Sequence, residues 1–367
     1  MIDREFVGLP SPVVGRAGAG GHPCQGIYHT SEKQSNPTTA FIATHYNVDF
    51  SEHYLADFMA ARGFGFLGWN TRFRGNEAYF LLDHALADIA VGVQWLRDRG
   101  VERIVLLGNS GGGSLMAAYH SQSRDPSIRP ARDRTVVPQA LRLPPAHAFV
   151  FVAAHPGRPE ILTDWMDPSV VDEADVTSTD PALDPFNPEN GPPYGTEFID
   201  RYRAGQRARN ARITEWCHAE LDRLEAVGIG DRVFTMSRTW ADLRMIDGTI
   251  DPSKRKTPWC YAGEPKRANA GVFGIGSLNT CRTWLNMWSL SDSDCGAFPH
   301  LAKLDLPTLL VQPDADNGVF PGQADEIFGG VASDDKEMVT LPGDHYFLEP
   351  AARDQVADLV AEWINAR

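Results

Sequence analysis

A serine hydroxyl becomes a nucleophile only when the chain presents it on a tight turn beside a base. One stretch of this sequence has the residues for such a turn. The apolar run Ile104-Val105-Leu106-Leu107 reads as a buried strand, Gly108-Asn109-Ser110-Gly111-Gly112 follows at once, and Leu115 to His120 continues as a helix. In a G-x-S-x-G turn the serine takes strained backbone angles, and small residues two before and two after it keep neighbouring backbone from clashing. Gly108 and Gly112 meet that need. The helix adds its N-terminal dipole and the free N–H of Gly111, a donor for the oxyanion of a tetrahedral intermediate. The competing use of a Gly-rich strand-helix turn is to hold phosphate, but no Gly-Lys-Ser/Thr follows here.

A serine also needs a histidine to take its proton and an acid to hold that histidine in the right tautomer. Leu341-Pro342-Gly343-Asp344-His345-Tyr346-Phe347 puts His345 after the last expected strand and before the final helix, where a loop reaches back over the serine. His300 and His155 compete, and are read as residues that touch the pocket without being the base. For the acid, Thr308-Leu309-Leu310-Val311-Gln312-Pro313-Asp314-Ala315-Asp316 offers two carboxylates just after a strand. Asp316 suits a loop carboxylate aimed at His345, and Asp314 suits the turn itself. The expected triad is therefore Ser110, Asp316 and His345.

Elements that position these groups follow from periodicity. Apolar runs at 39–44, 65–69, 104–108, 148–154, 308–312 and 337–341 read as strands, and 51–62, 83–99, 112–121, 323–328 and 351–366 as helices. Leu86, Ile89, Val93 and Leu96 form an apolar stripe at helical spacing. Helix after strand, repeated, implies an α/β fold with a mostly parallel, doubly wound sheet. Between about residues 158 and 299 the rhythm stops. That block is rich in Pro, Asp, Arg and Trp, holds one long helical candidate at 196–227 and a surface loop at 180–193, and reads as an insertion above the sheet. The expected organisation is core at 1–157, an inserted cap at 158–299, and core again at 300–367.

The elbow, the P-T-L-x-x-x-x-x-D-A-D run at Pro307 to Asp316 and the G-D-H-Y run at Gly343 to Tyr346 resemble the α/β-hydrolase superfamily over residues 38 to 157 and 301 to 367. The resemblance implies about eight strands, a mainly helical cap domain inserted after the sixth, and the chain order serine, acid, histidine. It also implies a second oxyanion donor after a His-Gly pair at the end of the third strand. Here the matching run is Thr44-His45-Tyr46-Asn47, so the backbone N–H of Asn47, or of Tyr46, takes that role beside Gly111. Tyr46 stands where relatives have Gly. Arg72, in the loop Trp69 to Gly75, matches a bracing arginine of relatives and is expected to be structural. The Gly-Asn-Ser-x-Gly-Gly run is also similar to that of meta-cleavage-product hydrolases, which use the same triad on carbon–carbon bonds, although their H-G-x-G-P-G loop is missing.

Composition narrows the partners. With 34 Lys+Arg against 48 Asp+Glu the net charge is −14, which repels nucleic acid and anionic membrane surfaces and favours a neutral or weakly charged small molecule. No apolar run is long enough to insert in a membrane, and the N-terminus lacks the apolar core of a signal peptide, so the expected location is cytoplasmic. A homo-oligomer is compatible with the sequence. Cys24, Cys217, Cys260, Cys281 and Cys295 contain no C-x-x-C pair, so neither a zinc site nor a disulfide framework is expected, though a Cys281 to Cys295 bridge stays open. No cofactor and no metal are expected.

Trp165, Trp216, Trp240, Trp259, Trp284 and Trp288 fall in the inserted block, which suits a bulky apolar or aromatic substrate. Trp165, Trp284 and Trp288 are the expected pocket residues. Arg201, Arg203, Arg207, Arg209 and Arg212 on the long helix have the chemistry to grip an anion, but read better as a solvated face. The expected activity is hydrolysis of a carboxylic ester, lactone or thioester. The alternatives are carbon–carbon bond hydrolysis with the same triad and a non-catalytic binding protein on the same fold.

Overall fold

The computed structural model describes residues 1–13 and 21–367. Eight strands form one sheet: β1 (Ile2–Leu9), β2 (Cys24–Ser31), β3 (Thr39–Ala43), β4 (Gly65–Asn70), β5 (Arg103–Asn109), β6 (Ala148–Val152), β7 (Thr308–Pro313) and β8 (Lys336–Leu341). Their order across the sheet is β1-β2-β4-β3-β5-β6-β7-β8. β2 runs antiparallel to both neighbours, and β3 to β8 are parallel.

The central strands are apolar on both faces because helices cover both. Ile104, Leu106 and Phe149 pack into one cluster with Leu86, Ile89 and Leu115, from α2 (Leu82–Asp98) and α3 (Gly112–Arg124). Val105, Leu107 and Val150 point the other way, onto Ala56 and Met59 of α1 (Ala56–Ala61) and Val356 and Val360 of a C-terminal helix, Pro350–Asn365. The strands at 39–44, 65–69, 104–108, 148–154, 308–312 and 337–341 all appear, with ends shifted by a residue or two.

Two strands escape a reading of apolar runs. β1 keeps only Val7 buried, the rest of its length being half-exposed or exposed with Asp3, Arg4 and Glu5 in the middle, as suits an edge strand protected from pairing by charge. β2 mixes Gln25, Gly26 and His29 into its run. The helix expected at 51–62 is shorter, because His53 folds 51–55 into turns: its Nδ1 accepts from the Leu55 N–H at 3.2 Å, and its Nε2 meets Asn109 Oδ1 at 3.2 Å.

Between β6 and β7 the chain makes a long excursion that holds α4 (Arg158–Trp165) and the 30-residue α5 (Thr196–Glu225). Two short antiparallel strand pairs accompany them, Val170–Asp172 with Asp175–Thr179 and Val233–Thr235 with Leu278–Thr280. Leu162, Ile213, Cys217, Trp284 and Trp288 of this segment share a continuous apolar cluster with α2 and α3, so the excursion is packed onto the sheet's helical layer. All five cysteines are free and buried, which closes the question of a Cys281 to Cys295 bridge. Among the described residues, no helix is long and apolar enough to cross a membrane, and no cluster of three metal-ligating side chains occurs.

Candidate active site

β5 ends at Asn109, and the chain turns directly into α3 through Ser110, whose φ of +54° is rare for a residue with a side chain. The turn is pinned by the Ser110 N–H, which lies 3.2 and 3.1 Å from the carbonyls of Val152 and Ala153. Neighbouring backbone explains its glycines. A Cβ on Gly108 would lie 2.6 Å from Gly113 Cα, and one on Gly112 would lie 2.3 Å from the Thr44 carbonyl oxygen. Strain at a serine, enforced on both sides by close backbone, presents its hydroxyl at the C-terminal edge of the sheet.

The loops after β7 and β8 meet at the same edge. His345 Nδ1 lies 2.6 Å from Asp316 Oδ2, and both side chains are buried. The other carboxylate oxygen, Oδ1, accepts from the N–H groups of Gly318 and Val319 at 2.9 and 3.0 Å and from the Tyr261 hydroxyl at 2.6 Å. Four donors therefore fix Asp316, and Asp316 fixes the His345 ring with Nε2 directed away from it. Asp314 instead serves its turn, accepting from the Gly343 N–H at 3.2 Å and pairing with Lys254 at 2.7 Å.

Ser110 and His345 both line a cavity of about 370 Å³. Its apolar lining includes Ile161, Trp165, Trp240, Ile275 and Val319. Trp165 and Trp240 lie against each other with ring centres 4.9 Å apart. Its polar lining includes His45, Asn47, Glu77, His155 and Arg158. Burial, with Arg158 close by, holds both imidazoles well below the usual histidine range, so they are neutral at pH 7. The Gly157 N–H donates to His155 Nδ1 at 3.2 Å and the Val48 N–H to His45 Nδ1 at 3.4 Å. A neutral ring that accepts at Nδ1 carries its hydrogen on Nε2.

Gly111 opens α3, and Asn47 lines the cavity, its side-chain oxygen accepting from Arg158 at 3.1 Å. Tyr46 is turned inward, with its hydroxyl 2.9 Å from Ser114 Oγ. Of the three tryptophans expected at the pocket, Trp165 lines it. Trp284 and Trp288 do not: both are fully buried in the apolar cluster, where the Trp284 indole donates to Thr214 and Trp288 lies against the Arg158 guanidinium. Their spacing on one helical turn signals burial of any kind and not which cavity they face.

The arginines of α5 are not a solvated face throughout. Arg209 is wholly buried and clasps Glu173 through two hydrogen bonds of 2.7 and 2.6 Å, and Arg203 meets Asp242 at 3.0 Å. Arg72 pairs with Asp88 at 2.8 Å, a bracing contact between loop and α2. His300 is tied to the Asp294 carbonyl at 2.8 Å and does not line the cavity. Sequence reasoning missed Tyr261, Arg158 and Glu77, because no motif connects them to the elbow, and it named Trp240 among the tryptophans of the inserted block without singling it out for the pocket.

No protein-family model matches the sequence, and no curated protein is significantly similar to it. Solved structures do match. The structure of DcsB in complex with its substrate analogue aligns over 99% of both chains, with a TM-score of 0.53 at 12% identity. The α/β hydrolase GrgF from Penicillium sp. sh18 aligns over 99% of this chain and 98% of its own, with a TM-score of 0.50 at 11% identity. This chain has the α/β-hydrolase fold. In the hydrolase fold ligands are met at the carboxyl ends of the parallel strands, and here β5, β7 and β8 bring Ser110, Asp316 and His345 to that edge. The excursion between β6 and β7 supplies Ile161, Trp165 and Trp240 to the cavity that Ser110 and His345 line.

Proposed function

We propose that this protein is a serine hydrolase that opens a carboxylic ester, with lactones and thioesters in the same reach, on a small molecule with an apolar or aromatic part. The observation that carries this reading is Ser110 in a strained elbow, φ +54°, opening on one cavity with a histidine whose Nδ1 is held by a buried carboxylate.

In this reading Asp316 fixes His345 with hydrogen on Nδ1, so Nε2 takes the Ser110 proton as Oγ attacks the carbonyl carbon. The tetrahedral oxyanion is held by the backbone N–H groups of Gly111 and Asn47. His345 then returns the proton to the leaving alcohol, and a water activated by the same ring releases the acyl group. Residues 158–299 act as the cap, with Ile161, Trp165 and Trp240 as the apolar wall for the substrate. That wall favours a hydrophobic or aromatic group, in a volume suited to a small molecule rather than a polymer.

A fluorophosphonate probe and a panel of p-nitrophenyl esters test this. Wild-type protein is expected to be labelled at Ser110 and to turn over short or medium esters, and Ser110→Ala is expected to lose both, with about 10⁴-fold or more lost from kcat. Absence of labelling and of ester turnover in folded wild-type protein overturns the reading.

A further inference from the structure

Four arginines are buried among the described residues: Arg158, Arg209, Arg244 and Arg255. Two are paired with carboxylates, and the third has all of its guanidinium nitrogens hydrogen-bonded. Arg209 clasps Glu173 and three backbone carbonyls, Arg244 pairs with Asp242 and Asp164, and Arg255 spends its donors on the carbonyls of Arg244, Ile250 and Asp251. Arg158 differs. Its guanidinium donates only to neutral groups, Asn47 Oδ1 at 3.1 Å and His45 Nδ1 at 3.4 Å, and its buried Nε has no partner. Among the described residues it forms no ion pair. The Glu77 carboxyl, on the same cavity, offsets part of its charge without pairing directly, and a buried cation that is not directly paired is costly.

The neighbours of Arg158 sharpen the point. A Cβ placed on Gly111 would lie 2.9 Å from His45 Nε2, 3.2 Å from His155 Nε2 and 3.4 Å from Arg158 Cζ. Both Nε2 atoms carry hydrogen, since both Nδ1 atoms accept from backbone N–H groups. Two imidazole N–H groups and one guanidinium therefore converge beside the residue next to Ser110, on the wall of the same cavity. Arg158 is held there by the faces of Tyr46 and Trp288, 4.6 and 5.3 Å from its Cζ, contacts that orient the cation without neutralising it. Glu77 is the one carboxyl among the described residues lining the cavity, and it accepts from the Gly276 N–H at 3.1 Å. Burial pushes that carboxyl up, against the opposing pull of the Arg158 charge and the Gly276 N–H.

We propose that Arg158, His155 and His45 form an anion subsite that takes a carboxylate of the substrate, a few bonds from the carbonyl attacked by Ser110. The proposal rests on the serine hydrolase reading for its reaction but not for its binding. It also qualifies what net charge implies: at −14 the long-range field disfavours an anion, and a locally built set of donors reverses that within the cavity. The substrate class is then the monoester, or the carboxylate-bearing lactone, of a dicarboxylic acid. No proton changes hands at this subsite; its donors bind and orient.

The test has a binding arm and a turnover arm. Calorimetry with Ser110→Ala compares glutarate with its neutral isostere glutaramide, and glutarate is expected to bind at least about tenfold more tightly. Arg158→Gln, checked for folding by circular dichroism, is expected to abolish that preference. Equal binding of the two ligands, or an unchanged preference in folded Arg158→Gln, overturns the subsite. Where Arg158→Gln does not fold, the comparison of the two ligands decides alone. In the turnover arm, wild-type protein is expected to favour mono-p-nitrophenyl glutarate over p-nitrophenyl pentanoate by a similar factor in kcat/KM. If Arg158→Gln slows both esters equally, the guanidinium serves the oxyanion and the carboxylate subsite is refuted. Glutarate binding without fluorophosphonate labelling refutes the serine hydrolase reading and keeps the subsite; labelling without glutarate preference does the reverse.

Discussion

The Tyr261 hydroxyl donates a 2.6 Å hydrogen bond to Oδ1 of Asp316, the carboxylate oxygen that His345 does not use. The Tyr261 ring also packs on the His345 imidazole, with centres 4.7 Å apart. One side chain from the excursion between β6 and β7 thus touches both Asp316 and His345. Burial and the nearby Asp316 charge push the Tyr261 hydroxyl well above its ordinary pKa, so it stays a donor across the working pH range.

Tyr261→Phe keeps the ring and removes the hydrogen bond. Asp316 retains Gly318, Val319 and His345, so the fold is expected to hold. With the carboxylate less firmly oriented, kcat on an ester is expected to fall roughly three- to tenfold with KM nearly unchanged. Steady-state kinetics of the two proteins check this; an equal kcat, or a loss confined to KM, refutes the positioning role.

How far the sequence reached depends on how local each signal was. β3 to β7 were legible because strands covered on both faces read as continuous apolar runs, Phe41-Ile42-Ala43 and Ile104 to Leu107 among them, whereas β8, a half-exposed edge strand, showed only as a short mixed run. β1 and β2 were not legible, since one carries charge against edge pairing and the other polar residues. Ser110, Asp316 and His345 were nameable from short stretches, each just beyond its own strand. Tyr261 and Arg158 were invisible because their significance is tertiary. Tyr261 meets a residue 55 positions away and Arg158 one 111 positions away, and neither lies in a motif. Periodicity fails in the same way for Arg209, which sits on a helix whose neighbouring arginines are half-exposed or exposed.

At Gly112 the elbow leaves no room for a methyl group. A Cβ there meets the Thr44 carbonyl oxygen at 2.3 Å, and that oxygen belongs to the backbone leading to His45 and Asn47. Gly112→Ala is expected to cost about 2 kcal/mol or more of unfolding free energy, through displaced backbone rather than lost contacts. Urea denaturation measures it, and a change below about 0.5 kcal/mol contradicts the packing argument.

Arg209 depends on Glu173 for its charge balance. Glu173→Gln leaves a wholly buried guanidinium with carbonyl partners only, and is expected to destabilise the fold by roughly 2 kcal/mol, with Glu173 partly exposed so that water softens the loss. Activity per folded molecule should not change, because neither residue lines the cavity. A denaturation midpoint equal to that of the wild type would show that Arg209 does not need the carboxylate.

Glu160 gives the fold a pH dependence of definite sign. It lies in the first turn of α4, wedged where a Cβ on Gly157 would meet its Oε2 at 2.5 Å and one on Gly296 its Oε1 at 2.6 Å, and Oε2 has no partner. Burial, and secondarily the charge of Asp164, raise its carboxyl from 4.5 to about 7. Below pH 4.5 folded and unfolded chains both hold the proton, and the site costs nothing. Between 4.5 and 7 the unfolded chain releases the proton while the folded chain keeps it, so stability falls by about 1.4 kcal/mol per pH unit, to a total of up to about 3 kcal/mol. Glu160→Gln removes that loss. The variant is expected to gain little over wild type at pH 5 and to exceed its Tm by a few degrees at pH 8. Thermal melts at both pH values decide it, and a Tm difference that is the same at pH 5 and pH 8 rules out Glu160 as the titrating group.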